Sequence, residues 1–330
     1  YSAAVWRRSS MAVYKTIGEG RSLSVSPPEQ AGNIKPDKYL LTEFGYYNLH
    51  GLIDSAEWYG QKDYSDRSAG PDYPVALRTQ DLIQNGSAPT VVFSEACYGA
   101  FVEDKLESES IALRFLGIGV RGFVGSTGIS YGSVNSPLIA GDLLASLFWR
   151  ALRNVPAVGE AYMLSKLQMV QEMVKRQGFL DGEDQKTLIS FVLYGDPLAG
   201  SDGLRKKGKE VPRPKVHPTV KTICDRVDGD AVAQVISKEK LREVKRMVEE
   251  YLPGLEDSEV LIAQEHSQCD GKYHTCPTAQ LGSKLLEEDH AHRVVVTIRK
   301  EKKVAQMVHE HYARATLDKD GKVIKLAVSR

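Results

Sequence analysis

Val91-Val-Phe-Ser-Glu-Ala-Cys-Tyr-Gly-Ala100 decides the fold, together with its partner Tyr46-Tyr-Asn-Leu-His-Gly51. Each is a short apolar run that stops abruptly at a reactive side chain, Cys97 in one and His50 in the other. A parallel strand buried on both faces reads as such a run, and it delivers the residues that follow it to the carboxyl edge of the sheet. The two segments are therefore expected as strands of one sheet, with the thiol and the imidazole at the same edge.

Outward from them the pattern alternates. Residues 2–16 read as an amphipathic helix stopped by Gly18 and Gly20, and Leu23 to Ser26 as a short strand cut by Pro27-Pro28. A helix with no strand before it implies that the first strand of the sheet lies upstream or comes from a separate chain. Residues 52–73 read as a long surface loop, 74–84 as a short helix leaving through Asn85-Gly-Ser87, and 107–116 as a helix. Val120 to Gly132 is a strand running out into a glycine-rich loop. Pro137 is placed in the first turn of a helix that runs to Asn154, a further helix covers 157–176, and Leu188 to Pro197 is one more buried strand. Helices alternating with buried strands predict a parallel α/β sandwich over residues 1–200.

Composition changes at Gly200. Residues 201–218 hold Arg205, Lys206, Lys207, Lys209, Arg213 and Lys215 among prolines, a basic Pro-rich linker. Residues 219–330 then predict a small α+β domain of unknown role. Leu241, Val244, Val248, Tyr251 and Leu252 line one helical face, and residues 312–317 and 322–328 form a hairpin about Asp318-Lys-Asp-Gly321.

The chain of 330 residues has a formal net charge of zero and no basic block in its first two hundred positions, which argues against nucleic acid or an anionic membrane as the main partner. No apolar run approaches the roughly 18 residues that span a bilayer. The sequence opens on Tyr1 without a signal peptide pattern, so the compartment is not readable from it. Four cysteines are too few to staple a chain of this size, so the fold must stand on its core.

Cysteine attacks as the thiolate, and a nearby imidazole both raises the thiolate fraction and protonates a leaving amine. Gly51 lets the backbone approach a substrate closely, so that its N–H can join that of Cys97 in holding an oxyanion. Glu95-Ala-Cys-Tyr-Gly99, 47 positions after His50, resembles the caspase signature Gln-Ala-Cys-[Arg/Gln/Gly]-Gly with its histidine about 50 residues upstream. Gln is replaced by Glu and Tyr98 follows the cysteine. Gly125-Ser-Thr-Gly128 and Tyr194-Gly-Asp-Pro197 look like the gingipain-like branch of these clan CD cysteine peptidases. The resemblance covers residues 2–199.

The resemblance implies a caspase-like α/β/α fold and a cysteine endopeptidase that works through an acyl-enzyme. Cys97 would be the nucleophile and His50 the acid/base, with Gly51 at the oxyanion. Glu95, two residues before Cys97 and on its strand face, would line the primary specificity pocket and select Arg or Lys. The legumain branch carries Glu there and prefers Asn, which is the alternative specificity. Ser126, Thr127 and Tyr131, on the loop after a neighbouring strand, are expected to contact substrate. Asp54 and Glu57 receive no catalytic role. The partner is a peptide or protein. No cofactor is required, and calcium is a stabiliser consistent with the resemblance. The gingipain likeness favours a secreted or cell-surface bacterial protein. Arg205 to Lys207 and Arg213 become self-cleavage sites, with solvated linker charge as the plain alternative.

Seven of the eight histidines lie beyond residue 216. His290-Ala-His292, His309-Glu-His311 and the group His266, Cys269, His274 and Cys276 leave three readings open, namely zinc, a Cys269–Cys276 disulfide, and solvated side chains. No metal ligand set is assigned. The rival from another class is an inactive caspase-fold binding or scaffold module.

Overall fold

The computed structural model describes residues 1–18, 23–33, 42–83, 88–200, 222–267, 293–304 and 307–330. The basic linker at 201–218, Cys269, His274, Cys276, His290 and His292 lie outside them. The chain divides into two units. The first holds Tyr1–Met169, Lys186–Pro214 and Ser329–Arg330, and the second holds Val170–Gln185 and Lys215–Val328. The second unit thus takes a stretch before residue 200 as well as the region after it.

The first unit is built on a four-stranded sheet of β3 (Phe44–Tyr47), β7 (Val91–Ser94), β8 (Gly122–Ser126) and β10 (Phe191–Gly195), in the order β10-β8-β7-β3. β3, β7 and β8 are parallel, with Tyr46 opposite Phe93 and Phe93 opposite Val124. All four residues of β7 are buried, as its uninterrupted apolar pattern predicts for a central strand. Helices cover both faces. On one, α2 (Ile111–Gly117) sets Phe115 against Tyr47 and Phe123, with ring centroids 5.3 and 6.0 Å apart. On the other, α3 (Ala140–Leu152) sets Phe148 and Trp149 against Phe93, at 5.4 and 6.2 Å. This is a mixed α/β/α architecture with a mainly parallel sheet.

Several local expectations are corrected. The N-terminal helix is shorter than expected: β1 (Ser2–Ala3) and a 3₁₀ turn precede α1 (Arg7–Tyr14). β1 pairs with β2 (Val25–Ser26) and also runs beside 46–48, with Ala3 N–H donating to Asn48 O and Asn48 N–H to Tyr1 O. Residues 52–73 are no plain loop, because Trp58 and Tyr59 are buried in β5 (Glu57–Tyr59). The stretch after Pro74 is β6 (Val75–Arg78) with a single 3₁₀ turn, its amides claimed by strand pairing and by the Asp81 carboxylate. α2 starts at Ile111, where the Ser110 hydroxyl accepts from Leu113 N–H and caps it. α3 starts at Ala140, so Pro137 precedes the helix. α4 (Val158–Gln177) lies where expected, whereas α5 (Gly182–Ser190) runs straight into β10. β10 pairs antiparallel to β8.

The second unit has an antiparallel sheet of β11 (Thr222–Val227), β12 (Glu259–Ser267), β13 (Arg293–Val304), β14 (Met307–Leu317) and β15 (Val323–Ser329), paired in sequence order. Ile262, Val296, Ala315 and Leu326 fall in one cross-strand row. α6 (Lys238–Glu249) is capped by Ser237 and buries Val244 and Val248, followed by Leu252, the face its spacing predicts. The expected hairpin closes on Asp318, whose carboxylate accepts from the amides of Asp320 and Lys322. Buried charge fills one end of this unit, where the Lys325 ammonium meets Asp181 at 2.5 Å, Glu183 at 3.3 Å and Asp184 at 3.4 Å. His309 and His311 are buried on one face of β14, their ring centroids 3.9 Å apart.

Candidate active site

Cys97 sits in a tight turn just past the carboxyl end of β7. Glu95 N–H still reaches Tyr47 O on β3, so the ladder persists one residue beyond the strand. The chain then reverses through Tyr98, at φ 55°, a left-handed conformation that non-glycine residues take only where surroundings enforce it. The enforcing bonds are backbone ones. Gly99 N–H donates to Ala96 O, Tyr98 N–H to Gly128 O and Ala100 N–H to Ser126 O, at 3.0, 2.9 and 2.8 Å. The turn is thereby fastened to the exit of β8.

The sulfur is buried against the loop after β8. Ser130 N–H donates to Cys97 Sγ at 3.2 Å, and the thiol points to Ser130 O at 3.5 Å. Burial pushes the thiol up to about 11, against the lowering effect of the Ser130 and Arg330 amides and of the Lys186 and Arg330 charges.

His50 is not on a strand of the main sheet. β3 ends at Tyr47, and His50-Gly51 forms β4 in a separate antiparallel sheet with β5 and β6. The ring is nonetheless fixed. Its Nε2–H donates to Gln61 Oε1 at 2.7 Å, which is the tautomer that makes Nδ1 the basic nitrogen. Trp6 meets the ring edge-on at 6.0 Å and Tyr73 at 5.5 Å between centroids. Gly51 brings the two segments together, since a Cβ built there would lie 2.1 Å from the Cys97 carbonyl oxygen. Only a glycine lets these backbones approach so closely.

Beside Cys97 lies a closed acidic pocket, and the side chain of Arg330 fills it. Period-two alternation puts Phe44 and Tyr46 of β3, and Phe93 and Glu95 of the β7 segment, on the face toward α3, whose first turn carries Asp142. Arg330 Nη2 donates to Asp142 Oδ2 at 2.5 Å and to Ser133 O at 3.0 Å. Its Nε is 3.8 Å from Glu95 Oε2, and its guanidinium carbon stands 4.2 Å from the centre of the Trp6 ring. Arg330 N–H donates to Ser130 O at 3.0 Å. Arg330, Glu95 and Asp142 are all 0% exposed, so the charges meet out of water.

Asp142 is held from several sides. It also accepts from the Ser133 amide at 2.5 Å, the Ser133 hydroxyl at 3.0 Å and Asn48 Nδ2 at 3.3 Å. Glu95 accepts from the Tyr46 hydroxyl at 2.7 Å. Burial drives Glu95 well above the usual carboxylate range, Asp142 adds to that, and Arg330 and Tyr46 only partly offset it.

Residues 59–200 match the model of Peptidase family C25. That match supports a cysteine peptidase. It includes Glu95, Cys97, Ser130 and Asp142, while Trp6, His50 and Gly51 precede it. No curated protein matches the chain, and no solved structure does.

The other residues singled out in the sequence fall nearby with mixed surroundings. Ser126 bonds to Gly128 O and Ser190 Oγ, and Thr127 to Ser190 O, so these hydroxyls tie the loop to the end of α5. Tyr131 is buried, with the Lys186 ammonium 5.6 Å from its ring centre. Trp6, Ser130, Ser133 and Asp142 were not singled out. An acid in the first turn of a helix reads as an ordinary partner of the helix dipole, and Trp6 reads as an apolar helix position. The glycine-rich loop was the one signal that pointed toward Ser130.

Proposed function

We propose that this chain is a cysteine endopeptidase that cleaves after arginine, with Cys97 as nucleophile and His50 as acid/base. The observation that carries the reading is Arg330, an arginine side chain fully buried between carboxylates with its backbone amide at the sulfur of Cys97. In a substrate so seated, the Cys97 thiolate attacks the carbonyl carbon while the N–H groups of Gly51 and Cys97 hold the oxyanion. The His50 imidazolium gives its proton to the leaving amine, and water then hydrolyses the thioester as His50 takes a proton back. These steps use only the chain's own groups. Calcium remains a stabiliser implied by the gingipain likeness, as does a secreted or cell-surface location.

Arg330 in this position also makes its own segment a competitor for the cleft, and processing in the basic linker fits an enzyme of this specificity. The experiment compares the full chain with Arg330→Ala and Cys97→Ala variants on fluorogenic peptides ending in Arg, Lys, Asn and Asp. Arginine peptides should be cleaved, faster by Arg330→Ala, and the Cys97→Ala chain should stay intact and inactive. Absence of arginine cleavage in both the native and the Arg330→Ala chain defeats the proposal. The binding-module alternative rests on one observation, the burial of the Cys97 thiol, and it expects no turnover from any of the variants.

A further inference from the structure

We propose that Gln61 is a positioning residue for the reaction, holding the His50 ring in the tautomer protonated at Nε2 so that Nδ1 is the nitrogen that gains and loses the catalytic proton. The assignment deepens the Cys-His reading above and rests on it. Strand pairing brings the two side chains together. His50 of β4 lies opposite Tyr59 of β5, and Gln61 follows Tyr59 by two positions. Alternation therefore returns Gln61 to the face of His50 as a diagonal neighbour, within reach of a long side chain. Its Oε1 accepts the Nε2–H at 2.7 Å, and His50 and Gln61 are 0% and 3% exposed, so water does not compete for that bond.

The acceptor is anchored independently of the ring. Gln61 N–H donates to Ser26 O at 3.1 Å, and Gln61 O accepts from Val5 N–H at 3.2 Å. Gly60 lets this segment lie directly on β2, since a Cβ built there would sit 2.3 Å from Ser26 Oγ and 2.5 Å from Ser26 O. Val5 belongs to the 3₁₀ turn that ends in Trp6, whose ring meets His50 edge-on, and Tyr73 closes a further side. The backbone of Gln61 thus secures one wall of the imidazole site while its side chain fixes the proton.

A carbonyl acceptor suits a ring that changes charge. Nε2 carries a hydrogen in both the neutral ring and the imidazolium, so the bond to Gln61 holds throughout, while the second proton arrives at Nδ1 from the thiol and leaves with the amine. Were Nδ1 the protonated nitrogen of the neutral ring, Nε2 and Oε1 would meet as two acceptors at 2.7 Å, a buried contact with no hydrogen in it. A carboxylate in this place would accept the same bond, whereas an apolar side chain of equal length would not.

The test reads the ring and the turnover separately. In the full native chain, with its histidine nitrogens isotope-labelled and pH raised until the ring is neutral, NMR should show hydrogen on Nε2 of His50 and none on Nδ1, with His50→Gln identifying the signals. Kinetics use the full chain carrying Arg330→Ala and an arginine peptide. Gln61→Glu keeps the acceptor and should hold kcat within about threefold. Gln61→Met removes it and should lower kcat at least about tenfold with KM within about threefold, and its His50 spectrum should show both tautomers. A space-filling role predicts the reverse order, because a buried carboxylate is harder to accommodate than a thioether. Gln61→Met turning over as fast as Gln61→Glu, or faster, overturns the assignment. If no chain cleaves an arginine peptide, the peptidase reading fails and takes this role with it, whereas a native His50 protonated at Nδ1 in an active chain sinks this role alone.

Discussion

Gly51→Ala is the substitution that most directly probes how His50 and Cys97 are brought together. The added methyl would sit 2.1 Å from the Cys97 carbonyl oxygen and 3.2 Å from the Ala96 Cβ. Non-bonded heavy atoms settle near 3.5 Å, so the first contact is short by more than an ångström. The obstacle is backbone, and this backbone is poorly able to yield. The Cys97 turn is closed from Ala96 to Gly99 and tied to Ser126 and Gly128, with Tyr98 already in the left-handed region. Relief must come from moving β4 away, which carries His50 off its partner Gln61 and away from the sulfur. Overpacking of this kind costs about 1–3 kcal/mol, which lowers the melting temperature of a unit of this size by about 2–12 °C. A displacement of about 1 Å between reacting groups costs about a hundredfold in rate. Calorimetry gives the first quantity. Turnover of an arginine peptide by the Arg330→Ala chain, with and without Gly51→Ala, gives the second. A Gly51→Ala chain that melts with the parent and cleaves within threefold of it would refute the idea that this contact sets the site.

Two further predictions concern the second unit. Lys325→Met leaves Asp181, Glu183 and Asp184 buried around a lost cation, so its melting transition at pH 7.5 should drop by the equivalent of about 3–5 kcal/mol. Burial alone would raise Asp181, but the Lys325 charge outweighs it and holds that carboxyl below the usual range, so this stabilisation is present above pH 3.8 and fades as pH falls below it. A shift under 2 °C in calorimetry, or a deficit that does not shrink in acid, counts against it. Burial pushes His309 down to about 4, so native stability is complete above its ordinary value near 6.5 and is lost as pH falls through 4. His309→Gln should remove up to about 3 kcal/mol of that acid sensitivity, measured as melting temperature against pH, and parallel curves for the two proteins would contradict it.

How much of this was legible in the sequence depends on how local the cause is. Val91 to Phe93 is apolar on both faces, and that alone predicts a central strand with Cys97 at its carboxyl edge. Strand alternation likewise puts Glu95 on the pocket side. Polar neighbours make Trp58 and Tyr59 read as loop, yet burial and pairing with β4 and β6 make them a strand. The direction of β10 was not encoded in its apolar run at all. This strand pairs antiparallel to β8 although α3, α4 and α5 lie between the two strands, so neither composition nor connection length foretells it. Asp142 was hidden for a similar reason. Nothing in its own segment distinguishes it from a helix-start acid, and only the distant arrival of Asn48, Ser133 and Arg330 gives it a role.

The raised thiol and the filled pocket follow from one arrangement. A cysteine at about 11 is protonated at neutral pH and resembles an inert packing residue. The largest cause is loss of water at the sulfur, and the segment that carries Arg330 lies over that sulfur, its amide among the groups that touch it. The groups that oppose the shift, the Ser130 amide and nearby positive charge, are those a nucleophile needs, and Ser130 lies outside the segment that carries Arg330. An arginine substrate would bring its own guanidinium back to Asp142 and restore the positive charge near the sulfur. The surroundings of Cys97 therefore describe a site with its cleft occupied. On the proposed reading, its reactivity would follow from what the pocket retains without Arg330.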